Sequence, residues 1–250
     1  LGRAALGNNT TAHNNTAVGH YALLSNSTGY DNVAVGRNAL DANVGGHSNT
    51  ALGESSLTSN TSGIRNVAIG QNAMAINSTG TENVAIGRNA LDANTTASYN
   101  TAVGDSALTA NTTGGSNTAL GRNALSANTT AINNVALGAN ALEANTTGTG
   151  NVAVGVEGLT SNTEGSQNTT IGHKSLNNNT ATGNTAIGYF AARFNTTGVE
   201  NTALGRYSLY NNTTGSYNTA VGNLAMQNGT VTDCIAIGAE ALRYNSGNRN

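Results

Sequence analysis

The chain has 250 residues and a formal net charge of −2, and only 9% of its residues are charged, where about 25% is usual. Because it lacks a basic stripe and has no apolar run near the roughly 18 residues of a membrane span, we expect neither a nucleic-acid partner nor membrane insertion in this segment. Its single cysteine, Cys234, excludes an intrachain disulfide framework.

One block of residues recurs from one end of the chain to the other. Residues 117–133 (NTALGRNALSANTTAIN) are followed at once by a near copy at 134–150 (NVALGANALEANTTGTG). Each copy opens with Asn-Thr/Val-Ala-Val/Ile/Leu-Gly, and the strict period argues against a disordered, low-complexity tract. The closing glycines are 17 residues apart except for two intervals of 16: Gly2, Gly19, Gly36, Gly53, Gly70, Gly87, Gly104, Gly121, Gly138, Gly155, Gly172, Gly188, Gly205, Gly222 and Gly238.

We number each copy from its opening Asn, position 1, so that the glycine takes position 5. Positions 2–4 favour a short strand, since Val, Ile and Thr are enriched there. The glycine at position 5 ends the strand, because the backbone there needs positive φ or a close approach. A second short stretch with Ala and Leu at positions 8 and 9 follows, and the Asn-Thr-Thr-Gly segment turns the chain back.

Seventeen residues are too few for a helical repeat unit, which has 33 or more. The sequence therefore predicts an all-β fold: a parallel β-solenoid or β-roll of about fifteen 17-residue coils, forming one repeat array over residues 1–250. Because the chain begins (LGRAAL) and ends (SGNRN) within a repeat, we expect a fragment of a longer fibre. The coils begin near residues 15, 32, 49, 66, 83, 100, 117, 134, 151, 168, 184, 201, 218 and 234.

Stacking places identical positions above one another, at about 4.7–4.9 Å per coil. Position 4 then forms one apolar rank, expected to point inward, and position 9 a second. Asn side chains at position 12 predict an amide ladder, in which each copy bonds the next. These structural ranks comprise Gly19, Gly36, Gly53, Gly70 and Gly87; Val18, Val35, Leu52 and Ile69; Leu23, Leu40 and Leu57; and Asn26, Asn60, Asn77 and Asn94.

A rank of alanines at position 3 precedes the rank at position 4: Ala17, Ala34, Ala51, Ala68 and their successors. Successive strand residues point to opposite faces, so an inward position 4 implies an outward alanine. A small, apolar, outward row indicates a flat surface against another chain, and we expect a homo-oligomer. The alternative is that the alanines point inward in a tight corner.

The Asn-Thr/Val-Ala-Val/Ile-Gly-x-x-Ala block resembles the repeats in the heads of trimeric autotransporter adhesins. The longer string is similar to repeats of phage tail-fibre and bacterial surface proteins that carry a C-terminal trimerisation chaperone. The resemblance covers all fifteen copies, although each coil is longer than a typical adhesin-head coil and no chaperone segment is present in this sequence. It implies a left-handed parallel β-roll, a homotrimer and an extracellular location on a bacterial surface or a virion.

The sequence contains no catalytic motif that we can identify. It lacks a Gly-x-Ser-x-Gly elbow, a His-Glu-x-x-His motif, a Cys-x-x-Cys motif and a phosphate loop, and its acidic residues occur singly. We therefore expect no enzyme, no cofactor and no metal site. Asn-x-Ser/Thr triplets match the glycosylation pattern, but the repeat produces them automatically.

These observations favour a structural fibre or adhesin segment that spans distance and attaches to a cell-surface receptor or a glycan. Tyr30, Tyr99 and Tyr217 lie in the loops and are candidate surface contacts. One alternative is an ice-binding solenoid, suggested by threonine rows at positions 13 and 14, such as Thr95 and Thr96. Another is a monomeric spacer array.

Overall fold

The computed structural model describes residues 2–245 and 247, which contain fourteen three-residue strands and no helix. They fall into two compact units, residues 1–130 and 131–250. The first contains β1 (Thr16–Val18), β2 (Val33–Val35), β3 (Thr50–Leu52), β4 (Val67–Ile69), β5 (Val84–Ile86), β6 (Thr101–Val103) and β7 (Thr118–Leu120). The second contains β8 (Val135–Leu137), β9 (Val152–Val154), β10 (Thr169–Ile171), β11 (Thr185–Ile187), β12 (Thr202–Leu204), β13 (Thr219–Val221) and β14 (Ile235–Ile237).

Within each unit, every strand pairs in parallel with the strand one coil away, and identical repeat positions lie side by side. Ala34, for example, is in register with Ala51, and Ala51 with Ala68. Backbone bonds join the coils, as from the Gly36 N–H to the Val18 carbonyl at 2.8 Å. The predicted parallel β-solenoid with coils of about 17 residues is confirmed in each unit. The block at Gly2 adds no described strand, since only Leu1 precedes that glycine.

The glycine at position 5 has both properties that the sequence suggested. Gly36 adopts φ 138°, a conformation that L side chains rarely adopt. A Cβ added there would lie 2.4 Å from the carbonyl oxygen of Gly53 on the next coil. The coils therefore stack closely only because this position carries no side chain.

The second short stretch, from position 6 to position 11, is a turn. Its backbone twice enters the left-handed region with side chains other than glycine, at positions 7 and 9. Asn38 has φ 58° and Leu40 has φ 51°. Asn tolerates this conformation, whereas each left-handed Leu costs roughly 1–2 kcal/mol. Burial of the leucine offsets this strain, since Leu40 is fully buried.

The predicted directions of positions 3 and 4 are wrong. Ala34, Ala51 and Ala68 are fully buried, and Ala17 in the first coil is half-buried. The rank at position 4 points outward instead: its members include Val18 (45% exposed), Leu52 (45%), Ile86 (36%), Leu120 (47%) and Ile171 (43%), while Val35 and Ile69 are half-buried.

The narrow interior explains this reversal. A Cβ added at Gly158, position 8 of its coil, would lie 3.7 Å from the Cβ of Ala153 at position 3. The two sides of a coil at positions 3 and 8 therefore lie so close together that each position has room for a side chain of about one methyl group. The larger branched side chains at position 4 have no room inside, and the rest of the core is filled by position 9: Leu23, Leu40 and Leu57 are fully buried, as predicted.

Two buried amide ladders, at positions 12 and 1, connect the coils. At position 12, Asn77 Nδ2 donates to Asn60 Oδ1 at 2.9 Å, and Asn94 Nδ2 donates to Asn77 Oδ1 at 2.8 Å. The opening Asn residues form the second, in which Asn66 Nδ2 donates to Asn49 Oδ1 at 3.2 Å. The predicted position-12 ladder through Asn26, Asn60, Asn77 and Asn94 is present, and all four are fully buried.

Candidate functional surfaces

The outward side of the strands is the first candidate surface. Positions 2 and 4 of each coil lie on it. Position 2 is Thr or Val, or Ile in β14, and position 4 is Val, Ile or Leu. In the N-terminal unit these side chains form two parallel rows, spaced by the coil repeat, that carry no charge. We call these rows the strand face of each unit. The sequence analysis expected an outward apolar row at position 3, whereas the structure places the outward apolar row at position 4.

Charged side chains in the N-terminal unit pair with each other across coils. Arg88 Nε lies 2.8 Å from Asp105 Oδ1, and Arg65 Nη1 lies 2.9 Å from Glu82 Oε1. Arg37 pairs with Glu54 in the same way. The hydrogen bond from Arg88 lowers the pKa of Asp105 from its ordinary value. These arginines therefore already have acidic partners.

The three tyrosines singled out from the sequence do not come together. Tyr99 and Tyr217 are exposed at 61% and 59%. Tyr30 is half-buried, and its ring stacks between His13 and His47, with centroids 5.3 and 4.5 Å away. Each of the three remains a candidate contact on its own coil, and no ring contact among the described residues joins one of them to another.

The C-terminal unit contains an aromatic group that the sequence analysis did not single out. The rings of Phe190 and Tyr207 lie 5.5 Å apart, and those of Tyr207 and Tyr210 lie 5.1 Å apart. The guanidinium of Arg193 lies 4.6 Å from the Phe190 ring centroid. The group, which we call the aromatic–arginine patch, consists of Tyr189, Phe190, Arg193, Arg206, Tyr207 and Tyr210.

A signal for this patch was present in the sequence. Tyr189 and Arg206 share position 6 of neighbouring coils, and Phe190 and Tyr207 share position 7. Arg193 and Tyr210 likewise share position 10. Aligning the coils by position, instead of searching along the chain, would have placed these side chains next to each other.

The other sequence-based candidates have structural surroundings of their own. Hydroxyls of the position-13 threonines bond the next coil, as from Thr95 Oγ1 to the Thr112 carbonyl at 3.1 Å. In the Asn-x-Ser/Thr triplets, Asn60 and Asn195 are fully buried with their amides donating to backbone carbonyls. A folded coil therefore does not expose these amides for glycosylation.

The described residues contain no group of His, Cys, Asp and Glu that could hold a metal ion, and no cavity is present among them. In the same part of the chain, no helix is long and apolar enough to cross a membrane. Cys234 is buried. No protein-family model matches the chain, and no curated protein matches its sequence.

Proposed function

We propose that this chain is a structural segment of an extracellular fibre or adhesin, which associates with copies of itself and carries an attachment surface. The observation that supports this most directly is the strand face. Its position-4 side chains include Leu52 and Leu120, exposed at 45% and 47%, while others, such as Ile69, are half-buried. Contiguous apolar surface of this kind is rare on monomers and is typical of interaction sites.

The geometry of the strand face suits packing against an identical face. Its side chains repeat at the strand spacing of about 4.8 Å, so ridges on one copy meet grooves on another at the same period. A seven-strand unit rises by roughly 30 Å at that spacing. We propose a homotrimer, the state that the resemblance to adhesin heads implies, with the strand faces of three chains against each other.

The native mass of the full chain, measured by light scattering during size-exclusion chromatography, tests this proposal. We expect about three times the chain mass of 25.0 kDa. Replacing Leu52 and Ile86 together by Glu should give a monomer with an unchanged circular dichroism spectrum, because both side chains are outward and like charges would face each other in the assembly.

Tyr99→Glu is the matched control, since it adds a charge at a side chain that is 61% exposed and is not one of the strand-face positions 2 and 4. Its mass should equal that of the unmodified chain. A monomeric unmodified chain, or a Leu52→Glu/Ile86→Glu variant with the full oligomeric mass, would contradict self-association through the strand face.

A second candidate, ice binding, gains support from one observation. Positions 2 and 4 both point outward, so Thr50 and Leu52 on one coil, and Thr101 and Val103 on another, belong to two parallel rows. Such rows could match a lattice, whereas the position-13 threonines use their hydroxyls within the solenoid. A monomer that shows thermal hysteresis, lost in the Leu52→Glu/Ile86→Glu variant, would favour ice binding over the fibre. A monomer without thermal hysteresis would favour the monomeric spacer array.

A further inference from the structure

We propose that the aromatic–arginine patch of the C-terminal unit binds an acidic saccharide, with sugar rings packed on its aromatic rings and sugar carboxylates paired with Arg193 and Arg206. This inference rests on the proposed attachment function and gives it a ligand class and a site. It is independent of self-association, which involves the strand face.

The first argument is the charge that the patch leaves without an acidic partner. Among the described residues of the C-terminal unit, Lys174 pairs with Glu157 and Arg243 pairs with Glu240. Arg193 and Arg206 form no ion pair there, although three arginines of the N-terminal unit do. Two guanidinium groups therefore lie close to the aromatic rings with no carboxylate to neutralise them, and an acidic ligand would supply it.

The second argument is how the guanidinium groups are held. The Arg193 guanidinium lies 4.6 Å from the Phe190 centroid and 5.0 Å from that of Phe194, and the Arg206 guanidinium lies 4.9 Å from that of Tyr207. Contact with a ring restricts the movement of the guanidinium, and in Arg206, which is exposed, it leaves N–H groups available to a ligand. A planar, oriented guanidinium is suited to a bidentate contact with a carboxylate.

The third argument comes from two buried nitrogens that lack partners. Arg193 Nε and His173 Nδ1 are both buried and make no hydrogen bond within the described residues. His173 belongs to the same region, since its ring stacks on Tyr189 with centroids 5.5 Å apart. A buried polar atom without a partner is costly, and a small side-chain movement that admits a ligand hydroxyl or a water would satisfy these nitrogens.

The fourth argument concerns the rings. Tyr189 is 44% exposed, and the rings of Phe190 and Tyr207, one coil apart, have centroids separated by 5.5 Å. That step is comparable with the length of one sugar residue, so consecutive sugars can meet consecutive coils. The C–H face of a pyranose carries a small positive charge and packs against the negative face of an aromatic ring. An acidic peptide would use the arginines but offers no such repeating face.

Isothermal titration calorimetry with an oligogalacturonate, using the full chain, tests the proposal. The fully methyl-esterified oligomer of the same length serves as the uncharged probe, and poly-L-glutamate as the anion without sugar rings. We expect binding to the oligogalacturonate at least tenfold tighter than to either of the other two. Comparable binding of poly-L-glutamate would overturn the proposal, since it would show that the chain responds to charge alone. Equal binding of the methyl ester, or failure to bind the oligogalacturonate, would also overturn it.

Two variants locate the site. Tyr189→Ala removes the most exposed ring of the patch, and Arg206→Gln removes an exposed guanidinium, and each should weaken oligogalacturonate binding at least tenfold. Tyr244→Ala is the matched control, because Tyr244 is an exposed tyrosine of the same unit outside the patch; it should change affinity less than twofold. Unchanged affinity in both patch variants would overturn the assignment.

Light scattering on the same samples separates this proposal from the proposed fibre. The patch variants should keep the native mass of the unmodified chain, whereas Leu52→Glu/Ile86→Glu should change the mass but keep the affinity per chain for a short oligomer. Loss of saccharide affinity in that strand-face variant, with its fold intact by circular dichroism, would count against the patch as the binding site.

Discussion

The interior of each coil is so narrow that single residues depend on one another. In coil 168–183 the buried alanine of position 3 is replaced by Thr170, whose hydroxyl bonds that of Ser175 at position 8. Ser175 Oγ also donates to the Gly172 carbonyl at 3.0 Å. One coil earlier, position 8 is Gly158, and a Cβ added there would lie 3.3 Å from Thr170 Cγ2. Gly158, Thr170 and Ser175 therefore accommodate one another where the repeat departs from its usual residues.

We expect this dependence to appear in a double-mutant cycle. Gly158→Ala alone should destabilise the chain or leave it unchanged, because its new methyl group would press on Thr170 Cγ2. In the Thr170→Ala background, the same substitution should stabilise it, since the methyl group then fills vacated space. The interaction energy should be about 1 kcal/mol, measured from urea denaturation curves. Additive effects would contradict the contact.

A second residue-scale prediction concerns pH. Burial raises the pKa of Asp92 above its ordinary value, so its charged form is disfavoured in the folded chain. The folded state therefore holds this proton more tightly than the unfolded state, and stability from it is present below the ordinary pKa and lost as pH rises through the folded pKa. Asp92→Asn should raise the urea midpoint at pH 7 and have no such effect near pH 3.

Asp105 provides a control of opposite sign. The hydrogen bond from Arg88 lowers the pKa of its carboxyl, so its contribution to stability is present above the ordinary pKa and lost as pH falls through the folded pKa. Asp105→Asn should lower the midpoint slightly at pH 7, because the ion pair is on the surface. A gain at pH 7 from Asp105→Asn, or a loss from Asp92→Asn, would contradict these assignments.

At the scale of the repeated elements, the position-12 ladder connects each coil to its neighbours through buried amides. Asn77 donates to Asn60 Oδ1 and to the Gly80 carbonyl, and it accepts from Asn94 Nδ2. These groups have no water to replace a lost partner, so each unsatisfied group costs about 1–3 kcal/mol. The ladder therefore stabilises the stacked coils and requires Asn side chains at matching positions of neighbouring coils.

Asn77→Ala should destabilise the chain by about 3 kcal/mol, since it leaves several buried polar groups unpaired. Gln71→Ala is the matched control, because Gln71 is an exposed amide with one long bond of 3.4 Å to Glu54; we expect a change within about 0.5 kcal/mol. Hydrogen exchange should locate the loss in the coils that adjoin residue 77. Equal effects of the two substitutions would show that the ladder contributes little.

At the scale of the whole molecule, the residues that stabilise the solenoid and the residues that form its exposed surfaces lie at different positions of the repeat. Positions 1, 3, 9 and 12 fill the interior of every coil with nearly the same residues, and stability then arises from contacts between neighbouring coils. Positions 2 and 4 form the strand face, while positions 6, 7 and 10 vary from coil to coil. The proposed trimer depends on positions 2 and 4, and the proposed saccharide site depends on positions 6, 7 and 10. Substitutions in the first set should therefore change the native mass, and substitutions in the second set should change the affinity for the saccharide.

The sequence alone determined the period, the strand at positions 2–4, the requirement for glycine at position 5, the buried leucines and the amide ladder. Each followed from parallel stacking, in which residues 17 apart share one environment. The sequence did not determine which side of the strand faces inward. Alanine at position 3 and Val, Ile or Leu at position 4 are both apolar, so alternation permits either direction.

The distance between the two sides of the folded coil answers that question. The walls of a coil approach within van der Waals contact of single methyl groups, as between the Cβ of Ala153 and a Cβ added at Gly158. Alanine therefore fits inside, and the one branched side chain described at position 3, Thr170, lies next to Gly158, which has no side chain. The same stacking brings Phe190 against Tyr207, and Tyr189 against His173, residues separated by a full coil of sequence. Patterns along the chain fix what repeats, but the distance between the walls fixes which side chains are exposed.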